Sequence, residues 1–73
     1  MITLEQIQTK LAEEIRNSKM TQTELAKKLN IKQPTVAQYL SGKALPALDT
    51  FANLCKILDL NPSEILCLDD DND

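Results

Sequence analysis

Gln33 and Gln38 lie on a stretch, Gln33-Pro34-Thr35-Val36-Ala37-Gln38, that contains no acidic side chain. A carboxamide donates and accepts hydrogen bonds at once, so it can read a partner that offers the complementary pair. Lys32 and Lys43 bracket the stretch. The wider segment 16–43 carries Arg16, Lys19, Lys27, Lys28, Lys32 and Lys43 against Glu24 alone. The chemistry on offer is attraction of an anion and recognition of a hydrogen-bonding surface. Reaction chemistry is not on offer. The chain has no His, too few glycines for a phosphate-cradling loop, and no nucleophile spaced with a base. Cys55 and Cys67 show neither metal-ligand nor redox spacing, and read as reduced, buried, small apolar side chains. The expectation is a binding protein, not an enzyme, with no metal and no cofactor.

A chain of 73 residues has room for one domain. Domains this small bury roughly 60% of their unfolded surface. With 42% hydrophobic but only 3% aromatic residues, the core must be aliphatic. The net charge of −3 taken as a whole opposes a polyanionic partner, but the charge is segregated. Residues 1–15 set Lys10 against Glu5, Glu13 and Glu14. Residues 44–73 set Lys56 against Asp49, Asp59, Glu64, Asp69, Asp70, Asp71 and Asp73. A basic middle can still meet phosphate, because the local field governs encounter. A solvated lysine face is the plainer reading of the same charges. The start lacks the apolar run of a signal peptide, and no stretch approaches the ~18 apolar residues of a membrane span. A cytoplasmic protein without a membrane partner is expected.

The elements that position these side chains are helices. Thr3 with Gln6, Thr21 with Glu24, and Asn61 with Glu64 each have the spacing of a capping box. A hydrophobic staple accompanies each: Ile2 with Ile7, Met20 with Leu25, and Leu60 with Ile65. The first helix is predicted from Leu4 to Ser18, with Leu4, Ile7, Leu11 and Ile15 on its apolar face. The second runs from Gln22 to Leu29 and stops at Asn30, which tolerates the left-handed conformation. The third covers Gln33 to about Leu40. Pro34 is acceptable in its first turn, Val36, Tyr39 and Leu40 face inward, and Gly42 stops it. The fourth starts near Ala47 and buries Leu48, Phe51, Leu54, Cys55 and Leu58. The fifth runs from Pro62 to about Cys67. The domain is expected over 1–68, with an acidic disordered tail over 69–73.

Only Asn30, Ile31 and Lys32 separate the second and third helices, and so short a link forces a steep crossing, the geometry of a helix-turn-helix. The segment meets the steric demands of that crossing. Leu25, Leu29 and Ile31 are apolar and inward, and Ala26 is small enough to pack beneath the third helix. Asn30 suits the left-handed turn, while Val36 and Tyr39 anchor the third helix to the core.

Thr21-Gln22-Thr23-Glu24-Leu25-Ala26-Lys27-Lys28-Leu29-Asn30-Ile31, Pro34-Thr35-Val36, Ser41-Gly42-Lys43 and Pro46 together resemble the Cro/repressor (Xre) family. The likeness continues through Leu48-Asp49-Thr50-Phe51, Leu54-Cys55, Leu58, Leu60 and Glu64-Ile65-Leu66. It implies an all-α, five-helix, lambda-repressor-like domain whose third helix enters the major groove of double-stranded DNA. Two departures stand out. Asn30 replaces the usual turn glycine. Leu40 stands where many members have a Glu, and Ile15 where its Arg partner would be. An apolar Ile15–Leu40 contact is expected in place of that buried ion pair.

The resemblance aligns Gln33 and Gln38 with base-reading positions. A Gln amide can pair bidentately with adenine N6 and N7, and Pro34 and Ala37 can touch a thymine methyl. Gln22, Lys32, Thr35, Ser41, Gly42 and Lys43 are the phosphate candidates. Arg16 and Lys19 are read as favouring the C-terminus of their own helix, and Lys27 and Lys28 as a solvated face. A single domain reads only ~4–5 base pairs, so a homodimer on a palindromic operator is expected. Leu60, Pro62, Ile65, Leu66 and Leu68 are the interface candidates, although some of them must close the core. The function implied is a sequence-specific transcriptional regulator, a repressor. The alternative is an antitoxin that neutralises a partner toxin protein and also binds its own operator.

Overall fold

Two threonine hydroxyls start the first two helices. In the computed structural model, which describes residues 1–69, Thr3 Oγ1 accepts from Gln6 N at 3.2 Å and Gln6 Oε1 accepts from Thr3 N at 2.8 Å. This reciprocal box opens α1 (Leu4–Asn17). The same device at Thr21 and Glu24, with bonds of 2.9 and 3.1 Å, opens α2 (Gln22–Leu29). Each box satisfies two backbone N–H groups that a helix start would leave without a partner. The chain then forms α3 (Gln33–Ser41), α4 (Leu48–Leu58) and α5 (Pro62–Ile65).

The third expected box is only half made. Asn61 Oδ1 accepts from Ser63 N at 3.0 Å, and Glu64 does not reach back. An asparagine carbonyl lies one bond further from the backbone than a hydroxyl, and here it settles on the nearer donor. The fifth helix is also shorter than predicted, ending at Ile65 and followed by a turn in which Cys67 has φ 62.

The second, third and fourth helices stop on left-handed residues. Asn30 has φ 58 and ψ 44, and its N–H bonds to the Ala26 and Lys27 carbonyls. Gly42 at φ 79 ends α3, and Asp59 at φ 55 ends α4. Asn and Asp are the non-glycine residues that visit this region most readily.

The core is one aliphatic cluster with a single aromatic side chain among its buried members: Leu11, Ile15, Leu25, Ala26, Val36, Tyr39, Leu54 and Ile65. It draws on all five helices. The α3 helix packs on both α1 and α2, α5 closes over α1, and α4 meets α2. Burial and the Asp49 carboxylate hold the Tyr39 phenol above its ordinary range. Burial likewise raises the Cys55 thiol, which is free and buried.

Two residues expected inside lie outside. Leu4 is 67% exposed and Leu48 87%. Each is the first residue of its helix. A helical side chain leans back toward the N-terminus and covers the turn before its own Cα, and a first residue has no such turn beneath it. Phe51 and Leu58 are half-buried and Leu54 and Cys55 buried, as the spacing predicted. Leu40 packs, half-buried, against the cluster that holds Ile15, in keeping with the apolar contact expected there. Of the acidic tail, Asp69 is exposed, and 70–73 lie outside the described residues.

Candidate nucleic-acid interface

The turn between α2 and α3 is three residues, 30–32. Ile31 N bonds to the Ala26 carbonyl at 2.9 Å, wrapping the chain tightly off the end of α2. Ala26 is 3% exposed, so α3 packs where any larger side chain would collide. The α3 helix begins without a side-chain cap, with Pro34 in its first turn, and Thr35 N bonds back to the Lys32 carbonyl at 3.0 Å. Val36, fully buried, and Tyr39, 6% exposed, fix the inner face of α3. With one face so anchored, the helical period turns Gln33, Pro34 and Gln38 outward, and all three are exposed. Ala37 and Thr35 beside them are half-buried.

Gln33 and Gln22 meet. Gln33 Nε2 donates to Gln22 Oε1, joining the first residues of the two helices of the motif. The bond uses one of the two N–H groups on Gln33. Its second N–H and its carbonyl oxygen remain, one donor and one acceptor side by side. Gln22 keeps both of its amide N–H groups. The pair therefore forms a continuous amide surface at the mouth of the motif.

At the other end of α3 the chain turns a corner through Gly42. Lys43 N and Ala44 N both bond to the Gln38 carbonyl, at 3.0 and 3.4 Å, and Gly42 N bonds to Tyr39 O at 3.4 Å. Ser41 Oγ donates to the Gln38 carbonyl at 3.2 Å. Ser41, Lys43 and Lys32 are exposed and Gly42 is half-buried. The phosphate candidates thus fall into two groups, Gln22, Lys32 and Thr35 at the start of α3 and Ser41, Gly42 and Lys43 at its end.

Two side chains outside the motif touch this corner. Gln8 Nε2 donates to the Gly42 carbonyl at 2.9 Å, and Arg16 Nη2 donates to the Leu40 carbonyl at 3.3 Å. Arg16 lies in the last turn of α1, as expected, and from there also reaches the end of α3. The Ser18 amide and hydroxyl cap α1, both on the Ile15 carbonyl. Gln8 gave no signal in the sequence, because its partner lies 34 residues away.

Of the interface candidates, Pro62 and Leu68 are exposed and Leu60 and Leu66 half-buried. Ile65 is 1% exposed and belongs to the chain's own core, which removes it from that surface. Burial at this position follows from its place on the inner side of a one-turn helix. Among the described residues no cluster of three or more His, Cys, Asp or Glu side chains could hold a metal ion, and no helix is long and apolar enough to cross a membrane.

Five helices without a strand among the described residues, with a short left-handed turn setting an exposed polar-amide helix across its neighbour, define a small helix-turn-helix protein. A helix-turn-helix family profile matches residues 11–65, and the chain belongs to that family, the Cro/repressor (Xre) kind of DNA-binding transcription regulator. Comparison with curated proteins and with solved structures gives no match.

Proposed function

We propose that the chain is a sequence-specific repressor that binds a palindromic operator as a homodimer, with α3 in the major groove. The observation that carries this reading is the pair of exposed amides, Gln33 and Gln38, on an α3 helix whose other face is buried, with the half-buried Gln22 of α2 bonded to Gln33. The donor and acceptor left on Gln33 match adenine N7 and N6, and Gln38 offers the same pair further along α3. Pro34 and Ala37 supply apolar contact for a thymine methyl. The free amide hydrogens of Gln22, at the positive end of α2, suit a phosphate oxygen. Lys32 and Thr35 add phosphate contacts on that side, and Ser41, the Gly42 backbone and Lys43 on the other. Such contacts hold register without reading sequence.

One α3 helix reads too few base pairs to specify a site, and a two-fold partner doubles the site. Leu60, Pro62, Leu66 and Leu68 are the residues we assign to that partner surface. The repressor acts in the cytoplasm beside its operator, residues 1–68 form the binding domain, and the acidic residues after it keep the protein soluble.

The test is binding to the duplex upstream of the chain's own gene across a salt series, with Gln33→Ala, Gln38→Ala and Lys43→Ala. The two Gln changes relax base preference by about 1–3 kcal/mol per site. Lys43→Ala weakens all sequences alike and reduces the salt slope by about one. Unchanged preference in both Gln variants overturns the site assignment.

A further inference from the structure

We propose that Gln8 and Arg16 are positioning residues for DNA binding, acting from α1 to hold the corner that carries Ser41, Gly42 and Lys43. The inference rests on the phosphate role given to that corner above.

The last carbonyls of a helix have no partner within it. At the end of α3, the Gln38 and Tyr39 carbonyls are taken by N–H groups of the corner itself. The Leu40 and Gly42 carbonyls are not, and these are the two that α1 supplies, through Arg16 and Gln8. The guanidinium also lies at the negative end of the α3 dipole, where a cation is favoured. Gln8 and Arg16 stand two turns apart on α1, so they grip the corner at two points rather than one. Between those points the chain passes through Gly42, whose backbone has the widest freedom of any residue. Leu40 and Ala44 on either side pack against the core, but Ser41 and Lys43 are exposed, and a Cβ placed on Gly42 would meet nothing within 4 Å. Core packing at the flanks and the bonds to the Gln38 and Tyr39 carbonyls set the path of the corner, and the two bonds from α1 add a hold on its Leu40 and Gly42 carbonyls. Neither Gln8 nor Arg16 need touch a phosphate to matter for binding one.

A double-mutant cycle on duplex binding tests this, with circular dichroism to confirm that each variant is folded. Gln8→Leu and Arg16→Met each weaken binding about fivefold on every sequence and leave base preference unchanged. Arg16→Lys recovers part of the loss, since an ammonium can still face the Leu40 carbonyl. In a Lys43→Ala background the effect of Gln8→Leu shrinks below twofold, because the corner no longer has its cation to place. Full additivity overturns the proposal, as it means that α1 contributes to binding by another route. Amide exchange in the free chain gives a readout without DNA. Lys43 and Ala44 exchange about tenfold faster in Gln8→Leu while Leu25 and Val36 do not, and equal rates at Lys43 and Ala44 also overturn it. Should Lys43→Ala alone leave binding intact, the interface reading fails, and the exchange rates then judge the brace by themselves.

Discussion

Asn30 turns the chain at φ 58, a conformation that costs an ordinary side chain roughly 1–2 kcal/mol. Asn30→Ala is therefore expected to lower stability by about 1 kcal/mol, and Asn30→Gly to leave it nearly unchanged, as measured by urea unfolding. Glu24 and Tyr39 make opposite contributions to the dependence of stability on pH. Hydrogen bonds from the Thr21 backbone and hydroxyl hold the Glu24 carboxyl below its ordinary value of 4.5. Its contribution is complete above that value and fades as pH falls through the lowered one, so acid loosens the start of α2 and Glu24→Gln removes that acid dependence. Tyr39 behaves in the opposite sense. Its phenol is raised above 10.0 by burial and by Asp49, so the neutral form is the one the fold favours. The Tyr39 contribution is complete below pH 10.0 and is lost as pH rises through the raised value. Tyr39→Phe should flatten the alkaline limb of a thermal-unfolding series.

At the scale of elements, α2 is eight residues long and α5 four, too short to be stable alone. Their caps and their packing must supply what length does not. Thr21→Ala removes the hydroxyl from the α2 box, and about 1 kcal/mol of stability is expected to go with it. Because α2 carries Gln22, the partner of Gln33, the same change should also reduce duplex affinity, which a stability effect confined to α4 would not. Leu54→Ala provides that contrast. It empties a fully buried position on α4 and should cost about 2–5 kcal/mol without altering base preference. Comparing the two at matched stability separates the helix that presents the site from one that only supports it.

For the whole molecule, the division of charge matters most. The basic residues gather in 16–43, and the acids lie mainly before and after. A protein of net charge −3 can then approach a polyanion in one orientation and be repelled in others. The apolar residues left outside the core include Leu68, at 60% exposed. Leu66→Glu with Leu68→Glu is expected to shift sedimentation toward the monomer and to abolish cooperative occupation of a two-half-site duplex, while binding to a single half-site persists. Unaltered sedimentation would place the partner surface elsewhere, and Leu48, 87% exposed at the head of α4, is then the residue to change next.

Much of this molecule is written in local spacing. Thr–x–x–Gln and Thr–x–x–Glu fix two helix starts, Asn30 and Gly42 fix two stops, and the three residues between α2 and α3 leave little choice of crossing. These features act within one or two turns of chain, where hydrogen bonds and backbone sterics depend only on near neighbours. The chain alone was enough for them, and for the outward amides of α3. Long-range geometry decided the rest. Leu4 and Leu48 share the apolar period of their helices yet have no core beneath them, Ile65 closes the chain's own interior, and Gln8 and Arg16 find carbonyls at the end of α3. Each of those outcomes depends on where a distant element ends in space, and periodicity along one helix carries no information about that.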